Sequence, residues 1–310
     1  MIELVKSIEN ANCITHTGTM HADEVFATAF LSMYLKDVKV CRVSNININE
    51  LDENIIVYDV GRGKFDHHQE DALKRENGIT YSSFGLLWKT FGLDYLKRRN
   101  VENPEDVFES IEKDFVIGID ADDNGIFPKI ETDGTYKIKT LPNIIKLFNP
   151  SYESEDDSNE QFVKAVAFAK IVLQEEIKSI IGKTKAKYRV IEHYNKTENN
   201  ILVLDEYMPY EETLLIIDES KKIDFVVFPS NRGGYNVKAV PNSFEDKSFR
   251  KNFPEEWAGL TNEKLEETSG VIGARFCHNT RFLLSCNSLE AAYQLIDKAL
   301  SSDINKNIDL

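Results

Sequence analysis

The sequence predicts an α/β protein with a parallel-sheet domain over residues 1–150, a boundary and long connecting helix over 151–190, and a smaller α+β domain over 191–310. Three features point there. The first third alternates strand-like and helix-like segments in the βαβα order of a parallel sheet covered by helices. Residues 54–60 form an apolar run, Asn-Ile-Ile-Val-Tyr-Asp-Val, of the kind buried in such sheets. Beyond residue 160 a long amphipathic repeat precedes a strand-rich remainder.

Taken in order, residues 12–15 make a short apolar segment that ends at His16. Residues 22–35 carry Val25, Phe26, Ala29, Phe30 and Met33 at helical spacing. Residues 38–43 read as a strand, 54–60 as a second, and 82–99 as a helix. Asn103 followed by Pro104 starts another helix, with Val107, Ile111 and Phe115 on one face. Residues 149–159 contain Pro150 and a run of acidic residues, and read as an exposed boundary. Phe162, Val166, Ala169, Leu173, Ile177 and Ile180 then mark a helix over 160–187. Strands are expected at 201–204, 214–217, 225–229 and 235–240, and a last helix near 289–300.

Composition narrows the function classes. The 310 residues are 42% hydrophobic and 29% charged, which suits a folded chain with a sizeable core. The net charge of −15 argues against a broad basic surface for duplex DNA. It leaves room for a small or single-stranded anionic substrate, because a bound divalent cation reverses the local sign of a site. Cys13, Cys41, Cys277 and Cys286 are too dispersed for a zinc ribbon or a disulfide framework. With no signal-peptide pattern and no apolar run near 20 residues, a cytoplasmic protein without a membrane partner is expected.

Four of the six histidines fall in two tight groups, each accompanied by aspartates. His16-Thr-Gly-Thr-Met-His21-Ala-Asp23-Glu24 lies at a strand-to-helix junction, and Asp59 closes the strand at 54–60. Phe65-Asp66-His67-His68-Gln69 follows a short Gly61/Gly63 loop. Asp120-Ala-Asp122-Asp123-Asn124-Gly125 ends the helix begun at Pro104. Any one of these residues alone reads equally well as a cap or a turn former. Groups just past the carboxyl ends of parallel strands converge on one crevice, however. Imidazoles and carboxylates gathered there, with no thiolate, are a ligand set for Mn²⁺, Fe²⁺, Co²⁺ or Zn²⁺.

These blocks, Thr15-His16-x-Gly18-x-x-His21-Ala22-Asp23-Glu24, Asp59-Val60-Gly61, Phe65-Asp66-His67-His68-Gln69 and Asp120-Ala121-x-Asp123-Asn124-Gly125-Ile126, resemble the signature of the Myg family. That family comprises metal-dependent exonucleases named after a melanocyte proliferating gene and related to the DHH phosphoesterases. Phe253-Pro254-Glu255-x-Trp257-x-Gly259-Leu260 and Ser269-Gly270-Val271-x-Gly273, leading to Phe276-x-His278, are similar to its C-terminal blocks. Met20 stands where an aromatic residue is usual, and the loop from Asp59 to Asp66 is shorter than the family's.

The resemblance implies a DHH-like first domain with a two-cation phosphodiester hydrolase site, and an exonuclease acting on RNA or short single-stranded oligonucleotides. His16, His21, Asp59 and Asp120 would hold one cation. Asp23, Asp59 and His67 would hold the other, with Asp59 bridging. Mn²⁺ is the expected ion, with Mg²⁺, Co²⁺ or Fe²⁺ as alternatives. His68 would contact the scissile phosphate, and Asp66 would orient a ligand imidazole. Asp122, Asp123 and Asn124 read as supporting groups or as a turn. In the second domain, Arg232 beside Gly233 and Gly234, together with His278 and Arg281, is expected to grip substrate. Relatives with the same site suggest two alternative substrates, pyrophosphate and cyclic dinucleotides. A metal or nucleotide sensor without turnover is the reading from another class.

Overall fold

The computed structural model describes residues 2–129 and 134–306. The chain divides into two compact units, Met1–Thr184 and Lys185–Leu310.

The first unit opens with β1 (Ile2–Leu4), β2 (Cys13–His16), α1 (Ala22–Tyr34), β3 (Val38–Val43) and β4 (Ile56–Val57). The strands form a four-stranded, wholly parallel sheet in the order β1-β3-β2-β4. The expected strand at 54–60 is cut to two residues. Tyr58 still donates to Ile14, but Asp59 turns into the left-handed region at φ 58° and its N–H donates to Phe65 instead. β2 and β4 are neighbours, so His16 and Asp59 emerge side by side from the same edge.

Then come α2 (Ser83–Lys97), α3 (Pro104–Ile111), a π-helical segment Glu112–Val116, α4 (Ile117–Asp123), α5 (Leu141–Ile145) and α6 (Ser158–Lys196). α1 is buried along nearly its whole length, and Phe26 and Phe30 pack on Phe84, Trp88 and Tyr95 of α2. The boundary between units falls inside α6, later than position 150. Phe162, Ala165, Ala169, Leu173, Ile177 and Ile180 are buried in the first core, so this stretch is part of the first unit and not a bare connector.

The second unit adds β5 (Ile201–Val203), α7 (Glu211–Ile217), β6 (Phe225–Pro229), β7 (Tyr235–Ala239), α8 (Asn262–Ser269), β8 (Ala274–Cys277), β9 (Leu283–Cys286) and α9 (Leu289–Lys306). Its sheet runs β5-β6-β7-β9-β8, parallel at β5/β6 and antiparallel elsewhere. Residues 214–217, expected as a strand, are helical. Four apolar residues suit either period, and Glu211 and Glu212 in the first turn favour a helix by complementing its dipole. β8 and β9 were not anticipated from the sequence.

Candidate metal centre

β2 delivers His16 to the end of the sheet. Its Nδ1 lies 2.9 Å from the Thr17 carbonyl, which fixes the tautomer and leaves Nε2 for the site. The following loop turns through Gly18 at φ 102° and is held by Arg42, which donates to the carbonyls of His16 and Gly18. Asn149 clamps Met20, accepting from its N–H at 2.7 Å and donating to its carbonyl at 3.0 Å. His21 then caps α1, its N–H donating to the Glu24 carboxylate at 2.9 Å.

Around this junction the side chains converge. His16 Nε2 lies 3.1 Å from Asp59 Oδ2 and 3.4 Å from Glu24 Oε1. His67 Nε2 lies 3.0 Å from Asp123 Oδ2, 3.4 Å from Asp59 Oδ1 and 3.9 Å from Asp23 Oδ2. His21 Nδ1 is 3.9 Å from Asp123 Oδ1. Asp66 is buried and holds His68 by its N–H at 3.1 Å and by Nδ1 at 2.7 Å, while the His68 ring is 60% exposed. Four overlapping triplets have ligand atoms within 4.8 Å of one another: His16/His21/Glu24, Asp59/His67/His68, His21/Asp23/Asp123 and Asp23/Glu24/Asp59. The cluster opens onto a cavity of about 520 Å³ lined by His16, His21, Asp59, Asp66, His68 and the Gly61-Arg62 turn, among others.

The structure thus brings together His16, His21, Asp23, Asp59, His67 and His68. It does not bring in Asp120. That carboxylate is fully buried and occupied: it accepts from Ser82 Oγ at 2.5 Å, Gly85 N–H at 3.1 Å and the Arg75 guanidinium at 2.6 Å. Asp123, near the end of the same helix, faces the histidines in its place. Glu24 is the other addition. In the sequence it looks like an ordinary helix-capping residue, and its backbone bond to His21 is a cap; the contact with His16 appears only when β2 and α1 meet.

The imidazoles and carboxylates of the cluster shift one another's titration. Burial alone would lower the pKa of His16, but Asp59 and Glu24 outweigh it and push it up to about 11. His67 behaves likewise, its burial overcome by Asp123 and Asp59, which bring it to about 11. Burial would raise Asp59, yet His16 and His67 hold it down to about 2. Asp23 is driven well up by its own burial and by the carboxylates of Asp59, Asp123 and Glu24. Asp23 Oδ1 and Asp59 Oδ1 are buried and make no well-formed hydrogen bond, and the buried His67 Nε2 meets the surrounding carboxylates only in ion-pair contacts without hydrogen-bond geometry. Buried polar atoms are rarely left so, and three aimed into one cluster of N and O donors fit a divalent cation.

In the second unit the expected trio is split. Arg232 lines a cavity of about 560 Å³ with Arg275, Asn236, Asn262 and Phe276 among others, and Arg275 donates to the Gly233 carbonyl at 2.8 Å. His278 and Arg281 lie in the turn between β8 and β9, where Arg281 N–H donates to His278 and the Arg281 guanidinium reaches the Phe253 carbonyl. Tyr235 pairs with Cys286 and Lys238 with Leu283, so the 232–234 turn and the 278–281 turn lie at opposite ends of the sheet.

A parallel-sheet unit with imidazoles and carboxylates gathered beyond its strand ends defines an α/β protein with a candidate metal centre. Residues 12–300 match the family model MYG1_exonuc, described as Uncharacterised protein family (UPF0160), and the chain belongs to that family. It is 29% identical over 323 residues to a MYG1 protein of Saccharomyces cerevisiae, spanning 93% of this chain and 95% of the relative. A MYG1 protein of Chlamydia trachomatis is 29% identical over 295 residues, 92% of this chain and 95% of its own. The human protein named MYG1 exonuclease is 25% identical over 337 residues, covering 93% of this chain and 85% of its own. None of the described helices is long and apolar enough to cross a membrane.

Proposed function

We propose that the chain is a metal-dependent phosphodiester hydrolase, an exonuclease that removes nucleotides from RNA or short single-stranded oligonucleotides. The observation that carries this reading is the pair of buried carboxylate oxygens without a well-formed hydrogen bond, on Asp23 and Asp59, gathered with His67 Nε2 in one crevice. The names of the human and rat relatives, both called MYG1 exonuclease, support it.

Asp59, between His16 and His67, is the group suited to be shared by two cations. In this assignment Asp23, Asp59, His67 and Asp123 would hold one ion, and His16, His21, Glu24 and Asp59 would hold the other, with Mn²⁺ the expected metal. Divalent cations supply a strong nucleophile from water at neutral pH and neutralise the charge that develops on phosphate. The chain's own groups do the rest. Asp66 accepts from Nδ1–H of His68 and leaves Nε2 free, so that the ring in its doubly protonated form would donate from Nε2 to a phosphate oxygen or to the leaving oxygen. Five carboxylates (Asp23, Glu24, Asp59, Asp66 and Asp123) set a field that a bare phosphate could not enter without those cations. In the second unit, Arg232 paired with Arg275 offers a fork for backbone phosphate. A cytoplasmic site of action suits such a substrate.

The test is a Mn²⁺-supplemented assay on labelled RNA, DNA, pyrophosphate and cyclic dinucleotides. Stepwise release of mononucleotides from a short RNA is expected. Turnover confined to pyrophosphate or cyclic dinucleotides would replace the nuclease reading, and nucleotide binding without turnover would point to a sensor.

A further inference from the structure

The loop that joins Asp59 to Asp66 carries a residue to which the metal centre gives no task. Arg62 sits at φ 57° between Gly61 at φ 83° and Gly63. Packing demands the first glycine, since a Cβ there would come 2.8 Å from the Cγ2 atoms of Ile46 and Ile48. Position 62 has no such demand. Left-handed backbone is where glycine or asparagine is comfortable and a long side chain is not. Strain kept at the rim of a site is a pointer to use.

What holds Arg62 is its backbone alone. Its N–H donates to Asp66 Oδ2 at 2.6 Å, while the other oxygen of that carboxylate takes the N–H and Nδ1 of His68. One buried carboxylate therefore fixes both residues at the mouth of the same cavity. The Arg62 side chain is exposed, and its guanidinium makes no hydrogen bond or ion pair among the described residues. It is also the single Lys or Arg among the described residues that line this cavity.

Charge makes the position matter. A nucleic acid entering a site ringed by carboxylates, on a chain of net charge −15, meets repulsion at every phosphate. Cations at the cluster can neutralise the scissile group. The neighbouring phosphate needs another partner. We infer that Arg62 is a substrate-binding residue whose guanidinium takes the oxygens of the phosphodiester next to the scissile one, an inference that rests on the phosphodiesterase reading. The planar fork of arginine suits two such oxygens, where a lysine offers a point charge. Arg62 thereby selects substrates with at least two consecutive phosphates over isolated diesters.

The experiment compares wild type, Arg62→Gly and Arg62→Lys in Mn²⁺. Arg62→Gly relieves the left-handed backbone, so its Tm should hold or rise. Its KM for a short labelled single-stranded RNA should rise about tenfold, the worth of one charge-assisted contact, with kcat less affected. For bis(p-nitrophenyl) phosphate, which has no neighbouring phosphate, the change in KM should stay under about twofold. The slope of log KM for RNA against log salt should become shallower by about 0.7, one phosphate contact on a single strand. Arg62→Lys should recover part of the loss. A lower Tm with equal losses on both substrates would show a structural residue and overturn the inference, as would an unchanged KM for RNA. Wild type inactive on both substrates would instead sink the phosphodiesterase reading. Arg62 is then decided by the Tm shift on adding the dinucleotide pApA: a shift lost in Arg62→Gly supports the contact, and one equal in both proteins, or absent from both, overturns it.

Discussion

The Arg75 guanidinium lies 2.6 Å from Asp120 Oδ2, in a pair whose side chains are 7% and 0% exposed. Arg75 also reaches Glu112 at 2.6 Å and stacks on the Tyr81 ring at 3.7 Å. This pair ties the segment after the His67-His68 dipeptide to the helix that carries Asp123. Removing one partner of a buried ion pair costs about 3–5 kcal/mol. Asp120→Asn should therefore lower Tm by roughly 10 °C while the folded protein keeps its metal. Asp123→Asn should do the reverse, keeping Tm within a few degrees and reducing metal affinity at least about tenfold. Thermal melts with metal analysis of the two variants decide the assignment. Metal lost from Asp120→Asn protein that is still folded would return Asp120 to the ligand set.

Gly85 provides an independent check on the same carboxylate. A Cβ at that position would lie 1.9 Å from Asp120 Oδ2, too close for any rotamer to absorb without moving the ion pair. Gly85→Ala should cost about 1–3 kcal/mol despite the better helix propensity of alanine. A melt that shows stabilisation would mean the Asp120 carboxylate is not against this glycine.

His68 separates binding of metal from handling of phosphate. Its ring is 60% exposed and anchored by Asp66, unlike the enclosed His67. His68→Ala should reduce kcat about a hundredfold or more, as loss of a proton-transfer group does, with metal content unchanged. A matching fall in metal content would make His68 a ligand.

In metal-free protein, protons take the place of cations at the cluster. His16 and His67 are raised from an ordinary value of 6.5 to about 11, so their contribution is complete below pH 6.5 and disappears as pH climbs through 11. Asp59, lowered from 3.8 to about 2, contributes above pH 3.8 and loses its effect as pH falls through 2. In EDTA, Tm should be highest near pH 5–6 and decline steadily as pH is raised from 6.5 to 10. With Mn²⁺ bound the decline should vanish, because the ligands are already deprotonated. A Tm in EDTA that rises over that alkaline range would contradict the proposed charge pattern.

The parallel sheet and the meeting of His16 with Asp59 were legible because both depend on short-range signals: apolar strands, a helix between them, and polar residues at the strand ends. Asp120 is expected as a ligand only by the family resemblance, and the sequence, in which α3, the π-helical segment and α4 read as one helix, does not show which carboxylate faces the site. Its partner Arg75 is 45 positions away in a loop with no periodicity. The separation of the expected substrate-binding trio in the second unit was hidden for a similar reason. Arg232, His278 and Arg281 lie in turns, and only the antiparallel register of β7 with β9 reveals that those turns are at opposite ends. Residues 214–217 show the limit of short apolar runs, which carry too few residues to separate a period of two from 3.6.

The most direct measurement compares wild type with Asp59→Asn on a 5′-labelled short RNA in Mn²⁺, with metal content determined on the same samples. Asp59 lies 3.1 Å from His16 and 3.4 Å from His67, between the two halves of the cluster. Wild type should release mononucleotides, and Asp59→Asn should be slower by at least about a hundredfold and bind less metal. Full turnover by Asp59→Asn, with metal retained, would contradict the shared-carboxylate site.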